Sequence, residues 1–158
     1  MIDEKNVALQ IFGCLLKDPS IIGQTDKYIL TPNDFSTSFE KRLFGCIYNL
    51  YERGAHNLGI VDIDNYLKDT PATYKLWEKE KGIEYLQDAE ELSDLDNFPY
   101  YYRRLKAINA VKSLKRLGIN TSSFYEENRL NPDAEEINKK FDELTAEDIF
   151  RQIKVKIT

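Results

Sequence analysis

The sequence is short of the residue types that most catalytic and metal sites need. Its 158 residues include one histidine and two cysteines. Cys14 and Cys46 lie in apolar helical patterns without CxxC or Cys/His spacing, which predicts buried thiols and argues against a zinc site. His56 stands in a polar segment and lacks the partner that a general base needs. Paired acids such as Asp62 and Asp64 also have no base, nucleophile or metal ligand at motif spacing. We therefore predict no catalytic, cofactor or metal site.

Two longer sequence signals are also missing. No glycine is followed by lysine, so the phosphate loop G-x-x-x-x-G-K-[ST] is absent and nucleotide hydrolysis has no recognisable site. No apolar run approaches the roughly 18 residues of a membrane span, and the first six residues are acidic, which predicts neither a signal peptide nor a membrane partner. We expect a cytoplasmic chain that is not itself an enzyme.

The composition is that of a globular protein with an uneven charge. Hydrophobic residues make up 42% of the chain, charged residues 31% and aromatic residues 12%. The net charge is −5, which argues against a protein that coats DNA, because non-specific DNA affinity comes from cations. Residues 1–97 carry 10 Lys/Arg and 18 Asp/Glu, whereas residues 98–158 carry 12 and 9. An acidic first part and a mildly basic second part are therefore expected.

The periodicity predicts an all-α fold. Apolar residues recur at helical spacing, and no segment alternates with period two for long enough to indicate a strand. A capping box, Thr37-x-x-Glu40, marks one helix start. Each proline is also predicted to open a helix, because proline is favoured at the first helical position; these are Pro19, Pro32, Pro71, Pro99 and Pro132. We predict a compact head of about five to seven helices over residues 4–94, with Trp77 docked on its core.

The second half shows narrower apolar stripes. One runs from Phe98 to Leu117, and a second long helix opened by Pro132 carries Ala134, Ile137, Phe141 and Leu144 at the same spacing. Two long helices joined by a bend predict an antiparallel helical hairpin. The predicted division is a head over residues 1–95 and a hairpin over residues 96–150.

A hairpin that stands away from the head cannot bury both stripes on itself, so we predict that it self-associates. Aromatic and aliphatic side chains would form the centre of that interface. The candidate residues are Phe98, Tyr101, Leu105, Ile108, Val111, Ile137, Phe141 and Leu144. The alternative is that all of them pack within one chain, since narrow stripes also occur inside small bundles.

The first stripe also carries a basic and aromatic run, "FPYYYRRLKAINAVKSLKRLG", which has no acid. Cations interleaved with aromatics are typical of single-strand binding, so this run is a second candidate for a contact with a partner or nucleic acid. The candidate residues are Tyr100, Arg103, Arg104, Lys112, Lys115 and Arg116. The alternative is that the cations lie on the solvent face of a helix and pair with the acids of "YEEN" and "NPDAEE".

Six segments, in order, resemble the N-terminal domain of DnaB-family replicative DNA helicases. Each is a weak core pattern alone, but their order and spacing hold over about 145 residues. The segments are "ALQIFGCLLKDP", "LTPNDFSTSFEKRLFGCIYNLYERG", "VDIDNYL", "KGIEYL", "YYYRRLKAINAVKSLKRLG" and "FDELTAEDIFRQI". Two departures indicate a divergent member: Lys81 replaces the first glycine of the family's G-G-x-x-Y-L, and "AHNLG" replaces the family's P-I-D after Gly54.

The resemblance implies a non-catalytic role in DNA replication. In the family this domain forms pairs, and three pairs make a collar that docks primase and, in some systems, a loader or initiator. It implies that residues 151–158 begin a linker toward a motor domain that would hold ATP and Mg²⁺. Alternatives are a free-standing adaptor or decoy, which would resemble the similarly built helicase-binding domain of primase, and an accessory single-stranded-DNA-binding module. We expect DNA contact to be weak or indirect.

Overall fold

The computed structural model describes the backbone of residues 4–157 and the side chains of residues 4–154. Within these limits the chain is all-α, as predicted, and contains no strand. Its eight α-helices are α1 (Glu4–Lys17), α2 (Ser38–Glu52), α3 (Ile60–Leu67), α4 (Pro71–Lys79), α5 (Gly82–Leu92), α6 (Phe98–Arg116), α7 (Ala134–Phe141) and α8 (Ala146–Ile157). Short 3-10 helices cover Pro19–Gly23, Pro32–Asp34 and Leu95–Asn97.

Local signals account for most helix starts. The predicted capping box forms at α2, where the Glu40 amide donates to the Thr37 hydroxyl over 3.1 Å and the Glu40 carboxylate accepts the Thr37 amide over 3.1 Å. Pro19, Pro32 and Pro71 each begin a helix, and Pro99 is the second residue of α6. Pro132 is the exception, because α7 begins two residues later at Ala134.

The chain forms two compact units. The first unit is residues 5–101, and the second unit is Glu4 together with the chain from Tyr102 onward. The change from one unit to the other falls inside α6, after Tyr101. The predicted linker start, residues 151–158, coincides with the end of α8, except that Thr158 lies outside the described residues.

An aromatic and aliphatic core fills the first unit. The Phe12 ring stacks on Phe35 at 4.8 Å between centroids, and Phe35 lies 5.4 Å from Phe44. Cys14 and Cys46 are buried free thiols, as predicted. Burial raises the pKa of Cys46 to about 12, so its thiol stays protonated and unreactive at neutral pH.

Trp77 of α4 packs in the first unit, as predicted, and its ring contacts the start of α5. Its ring is buried, and its Nε1 donates a hydrogen bond of 3.0 Å to Asp64 on α3. A Cβ at Gly82 would lie 2.0 Å from the Trp77 ring, which explains the glycine there. The preceding residue, Lys81, has φ of 54°, the left-handed region that favours glycine. The family's G-G-x-x-Y-L pattern has glycine at this position. Lys81 therefore has a side chain where the backbone conformation favours glycine.

Helix α1 approaches α5 closely. A Cβ at Gly13 would lie 2.1 Å from the Ala89 carbonyl oxygen, so only glycine fits at this crossing. The turn after α5 is attached to α1 by two further contacts. The Lys17 ammonium donates to the Ser93 carbonyl, and the Cys14 thiol donates to the Asp94 carbonyl over 3.5 Å. The end of α5 is thus fixed in place by α1.

The second unit contains two helices where one long helix was predicted. The predicted second long helix is two helices, because α7 ends at Phe141 and α8 begins at Ala146. A reciprocal cap explains the break: the Thr145 amide donates to the Asp148 carboxylate, and the Asp148 amide donates to the Thr145 hydroxyl, both over 3.0 Å. Thr145 therefore caps the start of α8, directly after Leu144, where the predicted stripe ends.

An irregular segment, residues 117–133, connects α6 to α7. Phe124 and Thr121 are buried, so the segment has its own anchor residues. The Asn138 side chain on α7 accepts a hydrogen bond from the Glu126 amide over 2.8 Å and donates one to the Glu126 carbonyl over 2.9 Å. These paired hydrogen bonds hold the segment against α7.

Candidate interaction surfaces

Most residues predicted for self-association are already covered within the chain. Buried among them are Phe98, Leu105, Ile108, Val111 and Phe141, whereas Tyr101, Ile137 and Leu144 are half-buried. The buried side of α6 is also wider than the predicted stripe, because Arg104, Ala107 and Ala110 are buried as well. Leu117, at the end of the predicted stripe, is 76% exposed. Pairing of two chains stays a prediction. The candidate residues that remain partly accessible for it are Tyr101, Ile137 and Leu144.

The two buried phenylalanines among these candidates, Phe98 and Phe141, each contact another aromatic ring. In the first unit, the Phe98 ring meets the edge of Tyr28 at 4.9 Å between centroids. In the second unit, the Phe141 ring lies 5.5 Å from Tyr125 and 4.8 Å from the Arg104 guanidinium. Their burial is therefore explained by packing within the chain.

Arg104 is a structural residue of the second unit. Only 4% of it is exposed, its Nε lies 3.2 Å from the Asp142 carboxylate, and its Nη1 donates to the Phe141 carbonyl over 3.3 Å. A buried guanidinium needs such partners, because an uncompensated buried charge is costly. Arg104 thereby joins α6 to the end of α7 within the second unit.

The other predicted cations of α6 also have partners in the chain. Lys112 forms an ion pair with Glu4, and Lys115 forms one with Glu127, which belongs to the "YEEN" acids that the sequence suggested as partners. The hydrogen bond from Lys115 lowers the pKa of Glu127 below its ordinary value. The exposed Arg116 donates from its Nε to the Lys112 carbonyl over 3.4 Å.

The remaining candidates, Tyr100 and Arg103, also interact with other residues of the chain. Tyr100 is partly exposed, and its ring lies 5.2 Å from that of Tyr101. Arg103 is half-buried, and the Lys106 ammonium lies 5.5 Å from the centre of the Tyr102 ring. The basic run thus forms a helix with ion pairs inside the chain, and its contact with a partner or nucleic acid stays a prediction.

An acidic surface, which was not predicted, lies on α5 and the turn after it. Residues 82–102 contain six acids and no lysine or arginine. These acids are Glu84, Asp88, Glu90, Glu91, Asp94 and Asp96. None of the six forms an ion pair within the described residues, in contrast to the cations of α6. The run of acids was visible in the sequence, but the lack of internal partners needed the fold.

Apolar side chains are exposed beside these acids. Leu92, the last residue of α5, is 60% exposed, and Leu95 in the following 3-10 helix is 37% exposed. Ile83, in the first turn of α5, is also exposed. We call α5 with the turn through Asp96 the acidic face.

A cleft of about 780 Å³ opens in the second unit beside α7. Its charged lining is balanced, with three cations and three carboxylates: Arg104, Arg129, Lys139, Glu135, Asp142 and Glu143. A cleft without excess charge does not select an anion such as phosphate. Across the described residues, no three His, Cys, Asp or Glu side chains form a group that would hold a metal ion. No described helix has the length and apolarity to cross a membrane.

The fold defines the class over the described residues: an all-α protein. No family model matches the sequence. The chain is similar to YorI, an uncharacterized protein derived from the SPbeta prophage of Bacillus subtilis (strain 168), with 34% identity over 158 residues. The match covers 99% of this chain and 31% of YorI, so the chain spans about a third of that relative's length.

Proposed function

We propose that this chain is a non-catalytic assembly and docking domain of a DnaB-family replicative helicase. One observation carries the proposal: the six resembling segments follow one another in the family's order over most of the chain. Each also begins on or next to a helix, from α1 for the first segment to the end of α7 for the last. A core pattern that is weak alone becomes informative when its order is kept along a whole fold.

The contacts of the second unit support the hairpin that the proposal requires. Arg104, in the first half of α6, contacts Asp142 just after α7, whereas Lys115, near the end of α6, contacts Glu127 ahead of α7. An antiparallel pair of helices predicts this order of contacts. We propose that α6 forms one arm and that α7 with α8 forms the other, interrupted arm.

The length of YorI is consistent with a domain of a larger protein, because the segment that matches this chain is only about a third of it. In this proposal, the parent protein would supply ATP hydrolysis, while this chain would form the pairs of a collar and dock primase, a loader or an initiator. The internal ion pairs of α6 favour this role over single-stranded-DNA binding.

Light scattering at increasing protein concentration tests the assembly role. We expect a dimer or a multiple of dimers, and a lower mass for Ile137→Asp, because a charge at a half-buried interface position disfavours pairing. Val61→Asp is the control, since Val61 is 70% exposed in the first unit. Ile108 and Phe141 are unsuitable for this test, because both are fully buried and their substitution would unfold the chain. A strictly monomeric wild-type chain would contradict the assembly role.

Docking is tested by gel filtration with the helicase-binding domain of the cognate primase. We expect co-elution with the wild-type chain. Separate elution of the two proteins at micromolar concentrations, for a chain that still assembles, would remove primase from the proposed partners.

A further inference from the structure

The acidic face carries six carboxylates that have no ion-pair partner among the described residues. On α5, Glu84, Asp88 and Glu91 follow at helical spacing and share one side of the helix, since residues four and seven apart lie on the same face. Like charges left together repel one another, and the repulsion is relieved when a cation binds.

The exposed leucines show that the face offers more than charge. Leu92 lies one turn beyond Asp88 on the same side of α5, and Leu95 follows in the fixed turn. A single exposed leucine is normal on a protein surface. Two leucines within four residues, beside uncompensated carboxylates, form a mixed apolar and acidic surface, which is typical of sites for a complementary amphipathic segment.

Contacts with α1 also hold the face in place. Gly13 allows α1 to approach Ala89 closely, and α1 holds the Ser93 and Asp94 carbonyls through Lys17 and Cys14. A surface that is already ordered loses little conformational entropy on binding. The leucines are therefore presented in a fixed arrangement.

We propose that the acidic face binds a cationic amphipathic helix of a partner protein, with Leu92 and Leu95 receiving its apolar side. Charge complementarity selects this occupant. DNA is repelled by the carboxylates, and a second copy of this chain offers a poor match, because ion pairs engage Arg104, Lys112 and Lys115 in its most basic helix. The inference deepens the proposed docking role by assigning it to one surface and one partner chemistry.

The probe for the test is a fluorescein-labelled amphipathic peptide with one leucine side and one lysine side, and the readout is fluorescence anisotropy. We expect Leu92→Ser to weaken binding roughly five-fold, because part of a leucine surface is no longer buried. Val61→Ser, which changes a comparably exposed apolar residue on α3, should leave binding within about two-fold. Equal losses in the two variants would overturn the inference.

The charge component is tested with a second matched pair. Asp88→Asn with Glu91→Gln should weaken binding about five-fold to ten-fold at low salt, and the loss should shrink at high salt, because salt screens exposed charges. Glu78→Gln with Glu80→Gln removes two exposed acids near the end of α4 and should have little effect. A salt-independent loss, or an equal loss in the control pair, would overturn the inference.

Two further outcomes separate this inference from the assembly role. If the peptide does not bind but Leu92→Ser lowers the mass in light scattering, the occupant is a second copy and the inference is wrong. If the chain assembles normally and the peptide does not bind, only the acidic-face inference fails. If the peptide binds to a chain that stays monomeric, the inference holds and the assembly role fails. All substituted side chains are exposed, and circular dichroism verifies that the helices are retained.

Discussion

Asp64 shows how one carboxylate stabilises the first unit. Burial pushes the pKa of Asp64 upward, but the hydrogen bonds from Trp77, Lys68 and Tyr74 outweigh that effect and lower it below its ordinary value. The folded chain therefore favours the charged carboxylate more than the unfolded chain does. This stabilisation is fully present above the unfolded pKa of about 4 and is lost as the pH falls through the lower folded pKa.

Replacement of Asp64 by asparagine should reveal this charge. We expect Asp64→Asn to lower the free energy of unfolding at pH 7 by about 1 kcal/mol, because the Trp77 hydrogen bond loses its charged acceptor. The difference from wild type should shrink as the pH falls below about 4. Urea unfolding followed by the fluorescence of Trp77 measures both values. Asp69→Asn, an exposed acid beyond α3, is the control. A difference that is the same at pH 3 and pH 7 would show that the carboxylate charge contributes nothing.

The sequence predicts only one partner of the hydrogen bond between Trp77 and Asp64. Trp77 was predicted to dock on the core, since a large aromatic in a helical pattern is rarely left exposed. Asp64 was considered only as one of a pair of acids without a catalytic partner. Its bond to Trp77 depends on how α3 and α4 pack, and periodicity along one helix carries no information on the packing of two helices.

At the scale of elements, two glycines in helix interiors have opposite roles. Gly13 in α1 lies at the crossing with α5, whereas a Cβ at Gly45 in α2 would meet no atom within 4 Å. Glycine in a helix interior costs about 1 kcal/mol relative to alanine. At Gly13 this loss of helix stability is compensated, because the absence of a side chain lets α1 pack closely on α5. At Gly45 no close contact compensates it.

The same substitution should therefore change stability in opposite directions. We expect Gly45→Ala to raise the free energy of unfolding by about 1 kcal/mol. Gly13→Ala should lower it by about 1–3 kcal/mol or more, because its Cβ would overlap the Ala89 carbonyl and force α1 from α5. Urea unfolding of both variants checks the signs. Changes of equal sign would mean that α1 and α5 are not closely packed at this crossing.

Most helix starts follow a local signal in the sequence, with Pro132 as the exception. Thr37 and Glu40 predicted the start of α2 correctly, because a capping box is satisfied within four residues. The same pattern at Thr145 and Asp148 begins α8. The predicted stripe extends to Leu144, three residues beyond Phe141, the last residue of α7. Where a cap and a stripe disagree, the cap decides, because it satisfies amide groups that the stripe leaves unbonded.

At the scale of the whole molecule, the division of charge was predictable and its compensation was not. The sequence alone indicates an acidic first part and a basic second part. Only the fold shows that three cations of α6 have anionic partners, while the carboxylates of α5 have no ion-pair partner in the part of the chain that the structure describes. In the sequence the basic run was the candidate contact surface. The docking surface proposed from the structure is the acidic face.

The two units provide a test of cooperativity, because Trp77 is the only tryptophan and lies in the first unit. Its fluorescence reports the unfolding of that unit, while circular dichroism reports all helices. We expect the two transitions in urea to coincide, since α6 contributes residues to both units and loss of either would leave it half supported. Separate midpoints would show that the units unfold independently.

The position of α6 also affects where recombination during evolution can divide the chain. Units of a chain are usually exchanged or reshuffled at exposed, flexible linkers. Here the change of unit after Tyr101 lies within a helix that runs from Phe98 to Arg116. Recombination at that point would join two unrelated half-helices out of phase. We therefore expect the two units to be inherited together, with insertions tolerated instead in the irregular segment at residues 117–133.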